Sequence, residues 1–184
     1  MSFRVTAGNE PADFELLTVI TTSEVIAKSE VSVYVLIRPT ERVDKVVSAV
    51  EKIFPGLTMD IRGDRIEAYG GPDTLWALHK MLREQQILDT ARSVMLHGQV
   101  GKTIQFRLNK QAAFMGTVNF PLEEEPLGSI HVQITGGDLI VDWLAPRTEN
   151  GIPVGEIDLP EIGSKGVDSP ETHIAEIHSP EEDV

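Results

Sequence analysis

Residues 29–70 read SEVSVYVLIRPTERVDKVVSAVEKIFPGLTMDIRGDRIEAYG, and three patterns follow one another in that stretch. From Ser29 to Ile37 every second residue is apolar (Val31, Val33, Val35, Ile37), the period of a strand with one buried face. Pro39 stops that strand, and Thr40 stands where a helix N-cap is expected. From Glu41 the apolar residues fall at Val43, Val46, Val47, Val50 and Phe54, one stripe of an amphipathic helix. Pro55-Gly56 ends it, and Leu57–Arg62 with Arg65–Tyr69 reads as a hairpin around Gly63-Asp64. A strand, a helix and then an antiparallel hairpin do not make a repeated βαβ rhythm. They predict an α+β fold, mostly antiparallel sheet with helices packed on one face.

The rest of the chain extends this pattern. Gly70-Gly71-Pro72 is a linker and Asp73 is placed to cap the next helix. Leu75, Leu78 and Leu82 share one helical face, while Leu88, Ala91 and Met95 share a nearly opposite one, so two helices are expected with a break near Gln85-Gln86. Gly98 is read as the glycine that closes the second helix. Lys102–Leu108 alternates as a strand, Gln111–Met115 reads as a short turn, irregular or helical, and Gly116–Phe120 as a brief strand. Gly128–Thr135 and Asp138–Leu144 read as a second hairpin around Gly136-Gly137. The expected order is β-α-β-β-α-α-β-β-β-β.

Charge divides the chain into three parts. The formal net charge is −13, from 16 Lys+Arg against 29 Asp+Glu. Residues 151–184 carry nine of those acids and only Lys165, with Pro153, Pro160, Pro170 and Pro180 and no aromatic residue. A stretch so composed buries too little apolar surface to offset its ordering entropy. The expected organisation is therefore an N-terminal extension over residues 1–29, a single domain over 30–150 and an acidic, proline-rich tail over 151–184. Within the extension, residues 14–28 have the β-branched composition of an extra edge strand.

Composition and motifs exclude several functions. Zero Cys removes disulfides, thiol nucleophiles and cysteine-ligated metal. Stretches free of formal charge, such as Gln111–Leu122 and Pro126–Gly137, fall short of the ~20 residues that span a bilayer. With no signal-peptide pattern at the N-terminus, a cytoplasmic protein is expected. Gly98–Thr103 (GQVGKT) superficially resembles the end of a phosphate-binding loop, but the required first glycine is Leu96 and a helix precedes it. His79, His97, His131, His173 and His178 lack metal-ligand spacing, and neither a metal nor any other cofactor is expected. Nothing local reads as catalytic, so the chain is expected to be non-enzymatic; an enzyme of unrecognised type remains the third alternative.

One feature stands out against the acidity. From Leu75 to Phe120 there are six bases (Lys80, Arg83, Arg92, Lys102, Arg107, Lys110) and only two acids (Glu84, Asp89). A basic strip of this kind beside the amides Asn109 and Gln111 is compatible with RNA phosphate and base edges. A solvated mixed-charge surface is the plainer reading of the same residues.

Several blocks also resemble a known family: Val35–Glu41 (VLIRPTE), Ile53-Phe54-Pro55, Leu82–Arg92 (LREQQILDTAR), Phe106–Phe114 (FRLNKQAAF) and Leu144–Thr148 (LAPRT). They look like an archaeal family of uncharacterised proteins often labelled RNA-binding, over about residues 30–151. The resemblance implies an α+β fold similar to the large-subunit ribosomal protein that binds 5S ribosomal RNA, and a homodimer. It brings no catalytic or binding residue. RNA is thus the candidate partner, with Arg92, Lys102, Arg107 and Lys110 as phosphate contacts and Asn109 and Gln111 at base edges. The alternative is a dimeric structural or protein-interaction module with no nucleic-acid role, in which Ala112, Ala113 and Phe114 serve packing or dimerisation.

Overall fold

Alternation makes the centre of the molecule. The structure, a computed structural model, describes residue 24 and residues 26–123 and 125–157. Strand β1 (Val31–Leu36) leads into helix α1 (Val43–Ile53) and the hairpin β2 (Thr58–Arg62) and β3 (Arg65–Gly70). A 3-10 turn at Pro72–Leu75 opens onto helices α2 (Trp76–Glu84) and α3 (Leu88–His97). Then come β4 (Gln99–Val100), β5 (Thr103–Asn109), the short helix α4 (Lys110–Phe114) and β6 (Ser129–Thr135). Helix α5 (Asp138–Leu144) and the hairpin β7 (Arg147–Glu149) and β8 (Ile152–Val154) complete the described fold.

Six strands form one antiparallel sheet in the order β2-β3-β1-β6-β5-β4. Register puts Ala68, Val33, Val132 and Phe106 in one row across β3, β1, β6 and β5. All four are buried and join a single core with Val50, Ile53, Leu78, Leu82, Met95 and Trp143 from the helices. Because side chains alternate between faces, the next residues along each strand point away from that core. The α+β fold with helices on one face of an antiparallel sheet is the architecture expected.

Local readings differ in instructive places. The break at Gln85-Gln86 is real, because Gln86 adopts a left-handed φ of 55° and turns the chain between α2 and α3. Thr40 does not cap α1; Arg42 holds the cap position without a side-chain cap bond, and Glu41 Oε2 accepts the Arg38 N–H at 2.8 Å instead. Nor does Asp73 cap: Pro72 starts the 3-10 turn from Gly71, and Thr74 Oγ1 donates to the Gly71 carbonyl. Gly98 keeps a φ of −88° and is not a left-handed closing residue. Its glycine identity has a different origin, since a Cβ there would lie 1.8 Å from the Gln105 carbonyl oxygen.

Asp138–Leu144 is helix, not the return strand of a hairpin. Ile140, Val141, Trp143 and Leu144 are all buried, a helical spacing that β-branched composition had masked, and packing decides over propensity. Residues 116–120 form no strand; Thr117 N donates to Ala112 O and Val118 N to Gln85 Oε1, so the segment is a loop pinned to α4 and α2. Glu24, Ile26 and Ala27 are helical and Lys28 lies in the turn that follows, not in an edge strand, and Ile26 is buried; the remaining residues of the expected edge strand, 14–23 and Val25, lie outside the described residues. At the other end the hairpin β7–β8 runs to Val154, beyond residue 150.

Candidate functional site

The open face of the sheet is the candidate site. Across β5, β6 and β1 the register aligns Arg107 with His131 and His131 with Tyr34. One step along, Gln105 aligns with Gln133 and Gln133 with Ser32. Tyr34 is exposed, with its ring centroid 6.1 Å from that of His131 at 54°. Gln105 Nε2 donates to Gln133 Oε1 at 3.2 Å. The end of α3 adds Leu96 and His97, and the loop after α4 adds Pro121 and Leu122. Together they bound a groove of about 1040 Å³. Among the described residues its lining contains Arg107, His97 and His131 and no aspartate or glutamate; the nearest carboxylate along the row is Glu67 of β3, the partner of Tyr34.

The structure separates the residues proposed from sequence. Arg107 lies in the groove. Arg92 does not: it is 15% exposed and donates to Asp142 Oδ1 at 2.8 Å and to the Ala145 carbonyl at 2.9 Å, tying α3 to α5. Lys110 is buried, its ammonium donating to Leu36 O at 2.6 Å and Glu41 Oε2 at 2.7 Å. Asn109 caps α4 through the Ala112 N–H and donates to Glu125 Oε2. Lys102 is exposed on the β4–β5 turn, and Gln111 is exposed beside Phe114 on the α1–α4 side. Ala113 is buried in the protomer's own core, Ala112 is half-buried, and the half-buried Phe114 ring sits under Lys45 and Lys52.

The alternation used to find the core also marks the groove. Ser32 and Tyr34, Gln105 and Arg107, and His131 and Gln133 are the polar partners of the buried positions in three strands. What the sequence alone withholds is that these three strands are neighbours.

Residues 30–135 match a family model described as RNA binding. That span begins just before β1 and ends with β6, so it contains the whole groove lining. A UPF0201 protein of Thermococcus onnurineus is 42% identical over 132 residues, covering 68% of this chain and 97% of the relative. The chain belongs to the UPF0201 family. A UPF0201 protein of Sulfolobus acidocaldarius is 38% identical over 146 residues, 72% of this chain and 97% of that one. The crystal structure of the Methanococcus jannaschii UPF0201 protein superposes with a TM-score of 0.62 at 34% identity, covering 68% of this chain and 98% of the other. Against a UPF0200/UPF0201 protein of Archaeoglobus fulgidus the chain is 39% identical but spans only 41% of the relative's length. The archaeal family expected from the sequence blocks is therefore the right one.

A second aromatic group in this UPF0201 chain lies elsewhere. His79 stacks on Trp143 at 4.9 Å and 22°, with Trp76 edge-on to both rings. Burial, with Arg83 nearby, lowers the imidazole pKa from 6.5 to about 4, against the opposing pull of Glu156. The folded state thus resists a proton that the unfolded chain accepts, so this contribution to stability is full above pH 6.5 and is lost as pH falls towards 4. Because the ring is only half-buried, screening reduces the expected loss to about 1–2 kcal/mol. Urea unfolding of wild type and His79→Phe at pH 7 and pH 4.5 checks it: the variant should show the smaller acid loss, and equal losses would contradict the assignment. Among the described residues no three His, Cys, Asp or Glu side chains are grouped to hold a metal, and no helix is long and apolar enough to cross a membrane.

Proposed function

We propose that this UPF0201 protein is a non-enzymatic RNA-associated protein that holds unpaired bases of a loop or bulge on the open sheet face. The groove, with Arg107, His131 and Tyr34 in one row beside Gln105 and Gln133 in the next and no carboxylate among the described residues that line it, carries the reading. Unpaired bases present a π-face and free Watson–Crick edges, which aromatic rings stack and amide side chains hydrogen-bond. The family match over residues 30–135 supports the partner class. Among the described residues Arg107 is the only fixed cation in the lining, so affinity should fall shallowly with salt, with a log–log slope of about −0.7 per phosphate contact.

Fluorescence anisotropy with a pool of stem-loop RNAs carrying randomised loops tests this. Tyr34→Ala should weaken binding about 5- to 150-fold, the equivalent of one lost base stack, and Arg107→Gln should weaken it and flatten the salt slope. Arg62→Gln, exposed on the far edge strand β2, should bind as wild type. No binding at low salt, or full binding by Tyr34→Ala and Arg107→Gln, overturns the proposal. A dimeric interaction module is the second reading, favoured by Met115, which is 76% exposed beside the half-buried Phe114.

A further inference from the structure

A second cavity lies on the same open face. Register sets Tyr69 of β3 opposite Ser32, so Tyr34 and Glu30 stand diagonally on either side of it. Tyr69 is 54% exposed and bounds a cavity of about 450 Å³ with Glu30, Gln133 and Thr135. Ser32 and Gln133 line this cavity and the groove alike. The chain has two tyrosines, and the fold exposes both on this one face, in two adjoining cavities.

The two cavities differ in charge. The groove holds Arg107; the cavity at Tyr69 holds Glu30 and, among the described residues, no lysine or arginine. Glu67, on the same strand and face as Tyr69, accepts a hydrogen bond from the Tyr69 hydroxyl at 3.4 Å and has Arg65 Nε 3.6 Å away. That contact steadies the ring. Glu30 is exposed and meets Thr135 through its own N–H and C=O, so its pairing with β6 makes no use of the carboxylate.

A stacking ring beside an acceptor wall suits a base that offers donors. Guanine presents two side by side, N1–H and the N2 amino group, which match the two oxygens of one carboxylate. Adenine and cytosine present one amino group beside a ring-nitrogen acceptor. Uracil flanks its single N–H with two carbonyls, which a carboxylate repels. We infer that the cavity at Tyr69 is a second base subsite selective for guanine, the base stacked on Tyr69 and its N1–H and N2 edge donating to the Glu30 carboxylate. The subsite rests on the proposed RNA function and deepens it: one unpaired base lies on Tyr34 and a neighbouring guanine on Tyr69. Glu30 and Glu67 repel phosphate, which leaves the RNA backbone to the Arg107 side.

The test is fluorescence anisotropy of the full chain with four stem-loop RNAs whose loops read UUGUU, UUAUU, UUCUU and UUUUU. Wild type should bind the guanine loop about 5- to 150-fold tighter than the all-uracil loop, the discrimination of one bidentate base contact. Glu30→Gln should remove most of that preference and bind the all-uracil loop at least as well as wild type. Tyr69→Ala should weaken guanine-loop binding about 5- to 150-fold, whereas Tyr69→Phe, which keeps the ring, should preserve it. Equal binding of all four loops by wild type, or a guanine preference that survives Glu30→Gln, overturns the subsite and leaves the RNA function standing. Failure of wild type to bind any loop removes the RNA function. Nitrogen–proton NMR with guanosine monophosphate then reads the subsite alone: shifts at Tyr69, Gly70 and Thr135 sustain it, and their absence overturns it.

Discussion

Replacing Glu41 with alanine should destabilise the protein by about 3–5 kcal/mol. Lys110 is only 4% exposed at its side chain and Glu41 12%, and they meet at 2.7 Å. Removing the carboxylate leaves the ammonium buried with the Leu36 carbonyl as its remaining partner. A charge so placed cannot recover its hydration, and that desolvation, more than the lost attraction, sets the size of the effect. The double variant Glu41→Leu, Lys110→Met removes both charges and should regain most of the loss. Urea unfolding of Glu41→Leu, Lys110→Met and the double completes the cycle. A cost below about 1 kcal/mol for Glu41→Ala, the range of exposed pairs, would show that the pair is solvated.

Gly98→Ala should be comparably damaging, by about 3 kcal/mol or more. The added methyl has no room: Gln105 O stands 1.8 Å from its position and belongs to the sheet backbone. Gly98 O also accepts the Gln105 N–H at 3.0 Å, so relief of the clash must pull the end of α3 away from β5. Gly101 is the comparison. It has a left-handed φ of 61° but nothing within 4 Å of a Cβ, and Gly101→Ala should cost only about 1–2 kcal/mol. Thermal unfolding of both variants checks the ranking; equal losses would mean that the junction of α3 with β5 yields to the added methyl at little cost.

The fold was legible where period and punctuation agreed. Val31, Val33 and Val35 are buried as their alternation requires, and the opposed faces of Leu82 and Leu88 foretold the turn at Gln86. Asp138–Leu144 was not legible, because seven residues rich in Leu, Ile and Val suit strand or helix until tertiary packing chooses. The site was harder. A count of bases from Leu75 to Phe120 weighs all lysines and arginines alike, yet Arg83 donates to the Trp143 and Leu144 carbonyls and bonds Glu156. Arg92 and Lys110 are likewise held inside, and Lys80 faces Glu84 on the helix surface. Only Arg107 reaches the groove. Which side of a fold a cation faces is fixed by contacts from residues 50 to 74 positions away, and no local window contains them.

The strand order has a bearing on how the chain is made. β1 needs β6 on one side, and the bond from Glu30 N to Thr135 Oγ1 spans 105 positions. At roughly 5–20 residues per second of synthesis, β1, β2 and β3 leave the ribosome several seconds before β6. Through that interval the inner edge of β1 offers unpaired N–H and C=O groups beside a valine-rich face, so the nascent protein depends on whatever shields that edge until residue 135 has emerged.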